Sequence, residues 1–339
     1  MAKECDNNGD LAETLAILAE RACAGQGVSR DEALWLAGEC PLPMLMAAAD
    51  KVRRHFFGDG VVFCGIVNAR SGRCPADCAF CSQSSYHQTS APEYPLVAVS
   101  EMIAAAVKLA AEVGCFGIIT SGPSLPTSEV AKVAEAAAAI RQRLGIEVSA
   151  SLGRINREAL SILKSSGVRR YHHNLETSAA FYPRICTTQR WEEKLNTLRT
   201  AQELGFELCS GGLFGMGETW ADRIDLALTL RALGVRSVPI NFLNPIAGTP
   251  LGQRLPLAAE EALRIIALYR MLLPAAVIRL CGGRPLVLAA HQAEALRSGA
   301  NGLMTGNYLT TPGFDPASDR RLVEESGLRI IKECFTASR

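Results

Sequence analysis

From residue 61 onward, short apolar runs alternate with segments that carry apolar residues at helical spacing. The runs lack strict alternation of apolar and polar residues, which is typical of strands buried on both faces. Eight strands are predicted, at residues 61–67, 115–121, 146–152, 168–176, 206–214, 235–243, 275–281 and 302–306. The helical patterns between them include residues 100–114, 128–145, 156–167 and 192–205. Several of these patterns end at glycine, the residue preferred after a helix.

This succession of strands and helices predicts the fold class. The connections are long enough for right-handed crossovers, so eight units in sequence favour a closed parallel barrel over an open doubly wound sheet. We therefore predict an α/β protein with a parallel (β/α)8 barrel of the TIM type over residues 58–325. Residues 1–57 are predicted to be an N-terminal helical extension, with Ser29 as an N-cap, and residues 326–339 a C-terminal tail. In such barrels the chemistry lies at the carboxyl ends of the strands.

Composition indicates the class of partner. The chain has 339 residues, of which 48% are hydrophobic, and this is enough to bury a sizeable core. Its net charge is +1, without a block of like charges, so we expect small-molecule partners and neither nucleic acid nor a membrane surface. The amino terminus lacks the pattern of a secretory signal, and no apolar run reaches the roughly 18 residues of a membrane span. A cytoplasmic location is expected.

Twelve cysteines are spread along the chain. Without an export signal, they are expected to be thiols, metal ligands or nucleophiles rather than disulfides. Four of them lie in predicted helices or tails and are interpreted as ordinary thiols: Cys5, Cys23, Cys40 and Cys334.

Three cysteines lie close together in SGRCPADCAFCSQSS, residues 71–85. The loop follows the first predicted strand, and the CxxxCxxC spacing of Cys74, Cys78 and Cys81 lets three thiolates bind three corners of a cubane iron–sulfur cluster. One iron then keeps an open position, which catalysis needs for a substrate or cofactor. The alternative is a zinc knuckle, for which His87 could be the fourth ligand.

The aromatic Phe80 directly before the last cysteine adds a resemblance. A CxxxCxxC motif with this aromatic resembles the radical S-adenosylmethionine (SAM) superfamily, in which a [4Fe–4S] cluster binds the amino and carboxylate groups of the cofactor. Six motifs in order, between residues 61 and 325, are similar to the biotin synthase family. They are NARSGRCPADCAFCSQSSYHQT, YHHNLETS, ICTT, CSGGLFGMGE, LNPIAGTPL and ANGLMTGNYLTTPG.

This resemblance implies a reaction, cofactors and partners. It implies sulfur insertion into dethiobiotin between C6 and C9, by hydrogen abstraction with a 5'-deoxyadenosyl radical that two SAM molecules supply in turn. It implies a flavodoxin-type or ferredoxin-type electron donor, the iron–sulfur assembly machinery and a homodimer. It also implies an auxiliary iron–sulfur cluster in the barrel as the sulfur donor.

The auxiliary site departs from the better known form of the family, which holds a [2Fe–2S] cluster with three strand cysteines and an arginine. Alignment of the motifs places Ile119 and Ser149 at two of those cysteine positions. The fifth-strand Cys209 and the arginine, Arg279, remain. The chain therefore resembles the second, type II form, whose larger auxiliary cluster has four irons and an extra sulfide.

Other strand cysteines are the candidate ligands of this cluster. Alternate residues of barrel strands point inward, so cysteines of separate strands can meet at the axis. On the resemblance, Cys186, Cys209 and Cys281 are predicted ligands, with Cys64 a less secure fourth and Arg279 a possible ligand. Each could instead be a buried thiol. Cys115, at the start of the second strand, is interpreted as structural.

The resemblance also implies contacts to SAM. Thr120, Ser121 and Gly122 follow the second strand where the backbone of the family binds the methionyl amine. Asn174 and Glu176 are two residues apart, so both would face the same side, and Glu176 can accept hydrogen bonds from both ribose hydroxyls.

Two more residues complete the predicted contacts. Lys194 is at the position of a family arginine near the cofactor carboxylate, although a solvated surface lysine is the alternative. Asn241 matches an asparagine that binds the ureido ring of dethiobiotin, and Asn174 is a second predicted substrate contact. His172 and His173 are given no catalytic role, because one of two adjacent strand residues should face outward.

Two other functions stay open at this point. One is another barrel enzyme of the superfamily, similar to the diiron hydrogenase maturase or to methylornithine synthase. The other is a noncatalytic iron–sulfur carrier or a zinc-binding module.

Overall fold

Ten parallel strands form one sheet in the computed structural model, which describes residues 7–332. Two of the cysteines interpreted as ordinary thiols, Cys5 and Cys334, lie outside the described residues. The strands are β1 (Gly60–Arg70), β2 (Cys115–Thr120), β3 (Glu147–Ser151), β4 (Arg170–His172), β5 (Glu207–Cys209), β6 (Gly212–Phe214), β7 (Ser237–Phe242), β8 (Val277–Leu280), β9 (Gly302–Met304) and β10 (Arg329–Ile331).

The sheet closes on itself because β1 pairs with β2 on one side and with β9 on the other. The order along the remaining strands is β2, β3, β4, β5, β7, β8 and β9, and β6 continues the line of β5 against β7. Counted with β5 and β6 as one interrupted strand, the wall has eight parallel strands. The predicted (β/α)8 barrel is confirmed.

Some strands differ in extent from the prediction. The strand predicted at residues 206–214 is interrupted at Ser210 and Gly211, where a Cβ on Gly211 would lie 1.9 Å from the carbonyl oxygen of Pro239. The strand predicted at residues 168–176 keeps only three continuous residues, and beyond them an isolated bridge pairs Glu176, whose φ is 71°, with Gly212 of β6. The last strand, β10, lies within the residues predicted as a C-terminal tail. It pairs with the start of β1, outside the closed wall.

Twelve α-helices lie within the described residues. They are α1 (Asn7–Cys23), α2 (Arg30–Gly38), α3 (Leu42–Phe57), α4 (Val99–Leu109), α5 (Thr127–Leu144), α6 (Arg157–Ser165), α7 (Trp191–Glu203), α8 (Trp220–Ala232), α9 (Ala259–Leu272), α10 (Arg284–Val287), α11 (Gln292–Arg297) and α12 (Pro316–Glu325). The first three form the N-terminal extension and pack on α8 and α9 of the barrel. In residues 7–332, no helix has both the length and the apolar character to cross a bilayer.

Local sequence explains where these helices begin and end. Ser29 caps α2 as predicted: its Oγ accepts a hydrogen bond from the backbone N–H of Glu32 (3.2 Å), and the Glu32 carboxylate accepts one from the N–H of Ser29 (2.7 Å). Gly145 ends α5 with a φ of 65°, in the left-handed region that glycine tolerates. The chain is thereby turned into the next strand.

A buried ion pair fixes the segment that follows β9. The guanidinium of Arg284 donates to both carboxylate oxygens of Asp319, at 2.6 and 2.7 Å, and both side chains are essentially inaccessible to solvent. Arg284 also donates to the hydroxyl of Tyr308 (3.0 Å), so the pair ties α10 and α12 to the loop at the barrel mouth.

Removal of one partner of this pair is expected to destabilise the protein. Asp319→Ala leaves the Arg284 charge buried without its counterion and should lower the free energy of unfolding by about 3–5 kcal/mol. Asp225→Ala, which breaks an exposed ion pair with Arg30, should cost less than about 1 kcal/mol. Urea unfolding of both variants measures the difference, and equal losses would contradict this role of the buried pair.

Candidate active site

A cavity of about 390 Å³ extends from the middle of the barrel to the carboxyl ends of its strands. With one exception, Cys186, the residues predicted from the sequence to bind cofactors, clusters or substrate line this cavity. They are Cys64, Cys74, Cys78, Phe80, Cys81, Thr120, Ser121, Gly122, Asn174, Glu176, Lys194, Cys209, Asn241, Arg279 and Cys281.

The loop with three cysteines folds back on itself at the mouth of the barrel. The N–H of Cys74 donates to the carbonyl of Gln83 (3.0 Å), and the N–H of Cys81 donates to the carbonyl of Cys78 (2.9 Å). Burial raises the pKa of Cys74, and it raises the pKa of Cys81 to about 11. These thiols must lose their protons when they bind iron, and the turn presents all three to the same cavity.

His87, the alternative zinc ligand, contacts the backbone of this loop. Its Nε2 lies 3.0 Å from the carbonyl oxygen of Cys78. One ring nitrogen is thus engaged with a main-chain group of the turn, and His87 is not among the residues that line the cavity with the three thiols.

Inside the barrel, a second group of cysteines lines the cavity, three of them on strands and one, Cys281, directly after β8. Cys64 of β1 is directly paired with Cys115 of β2, and both line the cavity with Cys209 and Cys281. Burial raises the pKa of Cys64 to about 11; Arg279 opposes this shift, and the neighbouring Cys115 and Cys209 add to it. Burial also raises the pKa of Cys281, again with contributions from Cys64 and Cys209. The charges of these thiols therefore influence one another within the cavity that they share.

Two arginines accompany these thiols. Arg279 of β8 lines the cavity as predicted, and Arg170 of β4 lines it as well. The Nη1 of Arg170 donates to the Sγ of Cys115 (3.2 Å), while its Nη2 lies 3.2 Å from a carboxylate oxygen of Glu207 and 3.5 Å from one of Glu147. Arg170 therefore links the thiols to acidic residues at the floor of the barrel.

Neither residue is among the ligands predicted from the sequence: Arg170 carries no motif, and Cys115 is interpreted there as structural. The signal for Cys115 was available in the alternation of β2, since Cys115, Gly117 and Ile119 share the inward face. Ser149 is paired with Gly117, whereas Ile119 is paired with Ser151 one step closer to the mouth. The barrel level of Ser149 thus contains Gly117 rather than Ile119.

Cys186 lies away from this second group. Its side chain is 3% exposed and does not line the cavity. Its Sγ donates to the Oδ1 of Asp77 (3.2 Å) and lies 3.7 Å from the hydroxyl of Thr188. The structure therefore groups Cys186 with the cysteine loop at the mouth, and not with Cys209 and Cys281.

The residues predicted to contact SAM lie around the mouth. The hydroxyl of Ser121 donates to the carbonyl of Gly72 (3.0 Å), and Gly122 has a φ of 103°. The hydroxyl of Thr120 is buried and has no hydrogen-bond partner among the described residues. An unsatisfied buried hydroxyl in a cavity wall is suited to a polar ligand.

Opposite them lie Glu176 and Lys194. Burial raises the pKa of Glu176, and the positive charge of Lys194 opposes this shift. Lys194 is 7% exposed and lines the cavity, so the alternative of a solvated surface lysine is wrong. The amide oxygen of Asn174 accepts a hydrogen bond from the N–H of Gly211 (3.1 Å), which fixes the orientation of its side chain.

The comparisons with known proteins agree with this arrangement. The Radical SAM superfamily matches residues 69–230, and the Biotin and Thiamin Synthesis associated domain matches residues 239–329. Biotin synthase from Trichlorobacter lovleyi is 47% identical over 313 residues, which cover 91% of this chain and 94% of that protein. Biotin synthase from Geotalea daltonii is 46% identical over 323 residues, with 94% and 98% covered. The chain belongs to the biotin synthase family.

Membership of this family confirms the predicted class of enzyme. The chain is a radical SAM enzyme, and the family implies a [4Fe–4S] cluster and SAM as cofactors. Solved structures show the same fold at lower identity. Methylornithine synthase has a TM-score of 0.80 at 21% identity, with 93% of this chain and 97% of that chain covered. The [FeFe]-hydrogenase maturase from Carboxydothermus hydrogenoformans has a TM-score of 0.77 at 18% identity, with 97% and 81% covered.

The cavity wall of this biotin synthase family member includes residues that sequence reasoning missed. Tyr308, Thr310 and Thr311 belong to the loop after β9, and the hydroxyl of Thr310 lies 3.0 Å from that of Ser82 in the cysteine loop. Their signal was the polar TTPG stretch after the last barrel strand, in the motif that carried the family resemblance.

Both adjacent histidines line the cavity, so the expectation that one of them faces outward is wrong. The chain leaves β4 after His172, and strict alternation therefore ends there. The Nδ1 of His172 lies 2.9 Å from the hydroxyl of Ser151. Burial lowers the pKa of His172 to about 4 and lowers that of His173 well below its usual value.

These two histidines predict a pH dependence of stability. Below the unfolded-state pKa of about 6.5, the unfolded chain takes up protons that the buried rings do not, so the free energy of unfolding falls as the pH is lowered toward 4. In the cluster-free protein, His172→Asn/His173→Asn should reduce the loss between pH 6.5 and 5.5 by about 2 kcal/mol. The exposed His55→Asn should not change it. Urea unfolding across this range measures both, and an unchanged slope in the double variant would contradict the prediction.

Proposed function

We propose that the chain is a biotin synthase that inserts sulfur into dethiobiotin between C6 and C9. The observation that carries the proposal is that one cavity is lined by two groups of cysteines, one at the mouth and one inside the barrel. Hydrogen abstraction and sulfur donation must act on the same substrate, so both centres have to face one chamber. When bound, the cofactors supply a 5'-deoxyadenosyl radical and the sulfur atom.

Cys74, Cys78 and Cys81 would hold the [4Fe–4S] cluster. Three thiols on one turn fit three of the four corners, and the site leaves the fourth position to SAM. Phe80, between the last two cysteines, lines the same cavity and would cover the cofactor side of the cluster.

The polar residues at the mouth would bind SAM. Lys194 would pair with the cofactor carboxylate, and Glu176 would accept hydrogen bonds from the ribose hydroxyls. The backbone of Thr120, Ser121 and Gly122 would bind the methionyl amine. The orphaned hydroxyl of Thr120 and the burial of both charged side chains support this assignment.

For the auxiliary cluster we propose the ligands Cys64, Cys115, Cys209 and Cys281. They line the barrel interior together, whereas Cys186 has its contacts at the mouth. Four thiols, in place of three thiols and an arginine, support the type II form with a four-iron cluster. The positive charges of Arg170 and Arg279 would compensate the thiolates, and Cys209 would hold the cluster opposite the substrate.

Asn241 and Asn174 would bind the ureido ring of dethiobiotin, because each amide can both donate and accept. The Nδ2 of Asn241 donates to the carbonyl of Gly212 (3.2 Å), and its Oδ1 accepts from the N–H of Gly282 (3.0 Å), so its orientation is fixed. We also propose a flavodoxin-type or ferredoxin-type electron donor, repair of the consumed cluster by the iron–sulfur assembly machinery, and a homodimer.

The proposed function is tested with anaerobically reconstituted protein, SAM, dethiobiotin and a reductant. Wild type should form biotin and 5'-deoxyadenosine, and Cys81→Ala should form neither, because one corner of the first cluster loses its ligand. Cys40→Ala, at a buried thiol outside the cavity, is the matched control and should keep both products. Cleavage of SAM without any biotin from wild type would overturn the proposal.

The auxiliary ligand set is tested by counting iron and acid-labile sulfide. Cys115→Ala/Cys281→Ala should lower the iron content by roughly four per chain, the content of one four-iron cluster. Cys186→Ser should keep the full content. Should Cys186→Ser lose this iron while the double variant retains it, the proposed ligand set would be wrong.

The proposed SAM contact of Glu176 is tested by binding. Glu176→Gln keeps the size of the side chain but removes its charge, and it should raise the Kd of SAM about 10- to 150-fold, because hydrogen bonds to charged groups contribute about 1.5–3 kcal/mol. Glu218→Gln, at a buried carboxylate outside the cavity, is the control. Equilibrium dialysis with the [4Fe–4S] protein measures both, and an unchanged Kd in Glu176→Gln would contradict the assignment.

A further inference from the structure

One carboxylate ties the cysteine loop to a segment more than a hundred residues away. The Oδ1 of Asp77 accepts hydrogen bonds from the backbone N–H groups of Thr187 (2.9 Å) and Thr188 (3.1 Å) and from the hydroxyl of Thr188 (2.8 Å). The hydroxyl of Thr187 donates to the other oxygen, and the thiol of Cys186 donates to Oδ1 (3.2 Å). We call Asp77 with Cys186, Thr187 and Thr188 the Asp77 clasp.

The backbone on both sides of Cys78 takes part in the same attachment. The N–H of Asp77 donates to the hydroxyl of Thr188 (3.0 Å), and the N–H of Ala79 donates to the carbonyl of Ile185 (2.8 Å). The position of Cys78 is therefore bounded by two residues whose amides are fixed to residues 185–188. Cys74 and Cys81 have their backbone contacts within the loop itself.

A carboxylate next to a thiolate ligand has an electrostatic cost, since two negative charges repel each other. In the clasp, five donors converge on this carboxylate, and they stabilise its charge by direct hydrogen bonds. All five of these donors come from residues 186–188 and not from the cysteine loop. The hydrogen bonds attach to residues 186–188 a loop that contains glycine and proline and has no regular secondary structure of its own.

We propose that Asp77 is a positioning residue that holds Cys78 in the geometry required by the [4Fe–4S] cluster, and that Cys186 serves this clasp as a buried donor. The inference rests on the proposed role of Cys78 as a cluster ligand. It also gives a role to the one predicted cluster cysteine that does not line the cavity. The other members of the clasp, Thr187 and Thr188, would act through Asp77 and not on the cofactor.

The first test replaces the carboxylate. Asp77→Asn keeps the shape of the side chain but replaces one carboxylate oxygen with an NH2 group. This group would face the N–H and O–H donors of the clasp, so the hydrogen bonds between Asp77 and residues 186–188 should be lost. The reconstituted protein is treated with a chelator, and loss of the first cluster is followed by electron paramagnetic resonance, in which SAM changes the signal of that cluster only. We expect this loss to become about 10- to 100-fold faster in Asp77→Asn, the range found when residues that orient metal ligands are replaced. Iron of the auxiliary cluster should be retained.

Asp315→Asn is the matched control. Asp315 also accepts hydrogen bonds from two backbone N–H groups and a hydroxyl, those of Ala317 and Ser318, but it caps α12 and has no contact with the cysteine loop. Its rate of cluster loss should equal that of wild type. If Asp77→Asn does not fold, Thr188→Val removes one hydroxyl donor from the clasp and should accelerate cluster loss in the same direction.

The second test concerns Cys186. Cys186→Ser keeps a donor to Asp77 and should lose the first cluster at the wild-type rate, whereas Cys186→Val removes the donor and should lose it faster. An unchanged rate in Asp77→Asn or in its Thr188→Val substitute would overturn the inference, and so would loss of auxiliary iron in Cys186→Ser. If wild type itself binds no SAM-responsive cluster, the proposed function fails instead, so the two failures are distinguishable.

Discussion

Closure of the parallel barrel is the constraint on which the site depends. Because β1 pairs with both β2 and β9, alternate residues of each strand are directed toward one axis and cannot turn to solvent. In a purely structural barrel those positions would be filled by branched apolar residues. Here several of them are thiols, arginines and amides, and the space they leave unfilled is the cavity. The interior of the barrel around the cavity is therefore less apolar than the core of a purely structural barrel.

Charge within the barrel is arranged from floor to mouth. Arg170 has acidic partners below it, Glu147 and Glu207, and the thiol of Cys115 above it. These contacts hold the positive charge of Arg170 at one level of the barrel. It lies near Cys64 and Cys209, and burial raises the pKa of both thiols. Loss of protons from these thiols is therefore coupled to ligand binding, since a positive metal centre must supply the stabilisation that solvent cannot.

The sequence predicted the repeated strand–helix units of the fold and those site residues that lie close together along the chain. Eight apolar runs separated by helices indicate a barrel, and the spacing of Cys74, Cys78 and Cys81 is readable because all three lie within one turn. The level of a residue along the barrel axis is not readable in this way, because it depends on strand stagger. β1 is eleven residues long, so Cys64 in its first half lies at the level of Cys115, the first residue of β2.

For the same reason, the spatial neighbours of Cys186 and Cys115 cannot be predicted from the sequence. In the sequence, Cys186 follows the fourth predicted strand and should enter the barrel, but β4 ends at His172 and a 3₁₀ turn at Tyr182–Arg184 carries the chain outward to the cysteine loop. Its partner, Asp77, lies 109 residues earlier, and no local pattern connects the two. Long-range hydrogen bonds of this kind depend on the closed barrel, which brings the loops after different strands together at one rim.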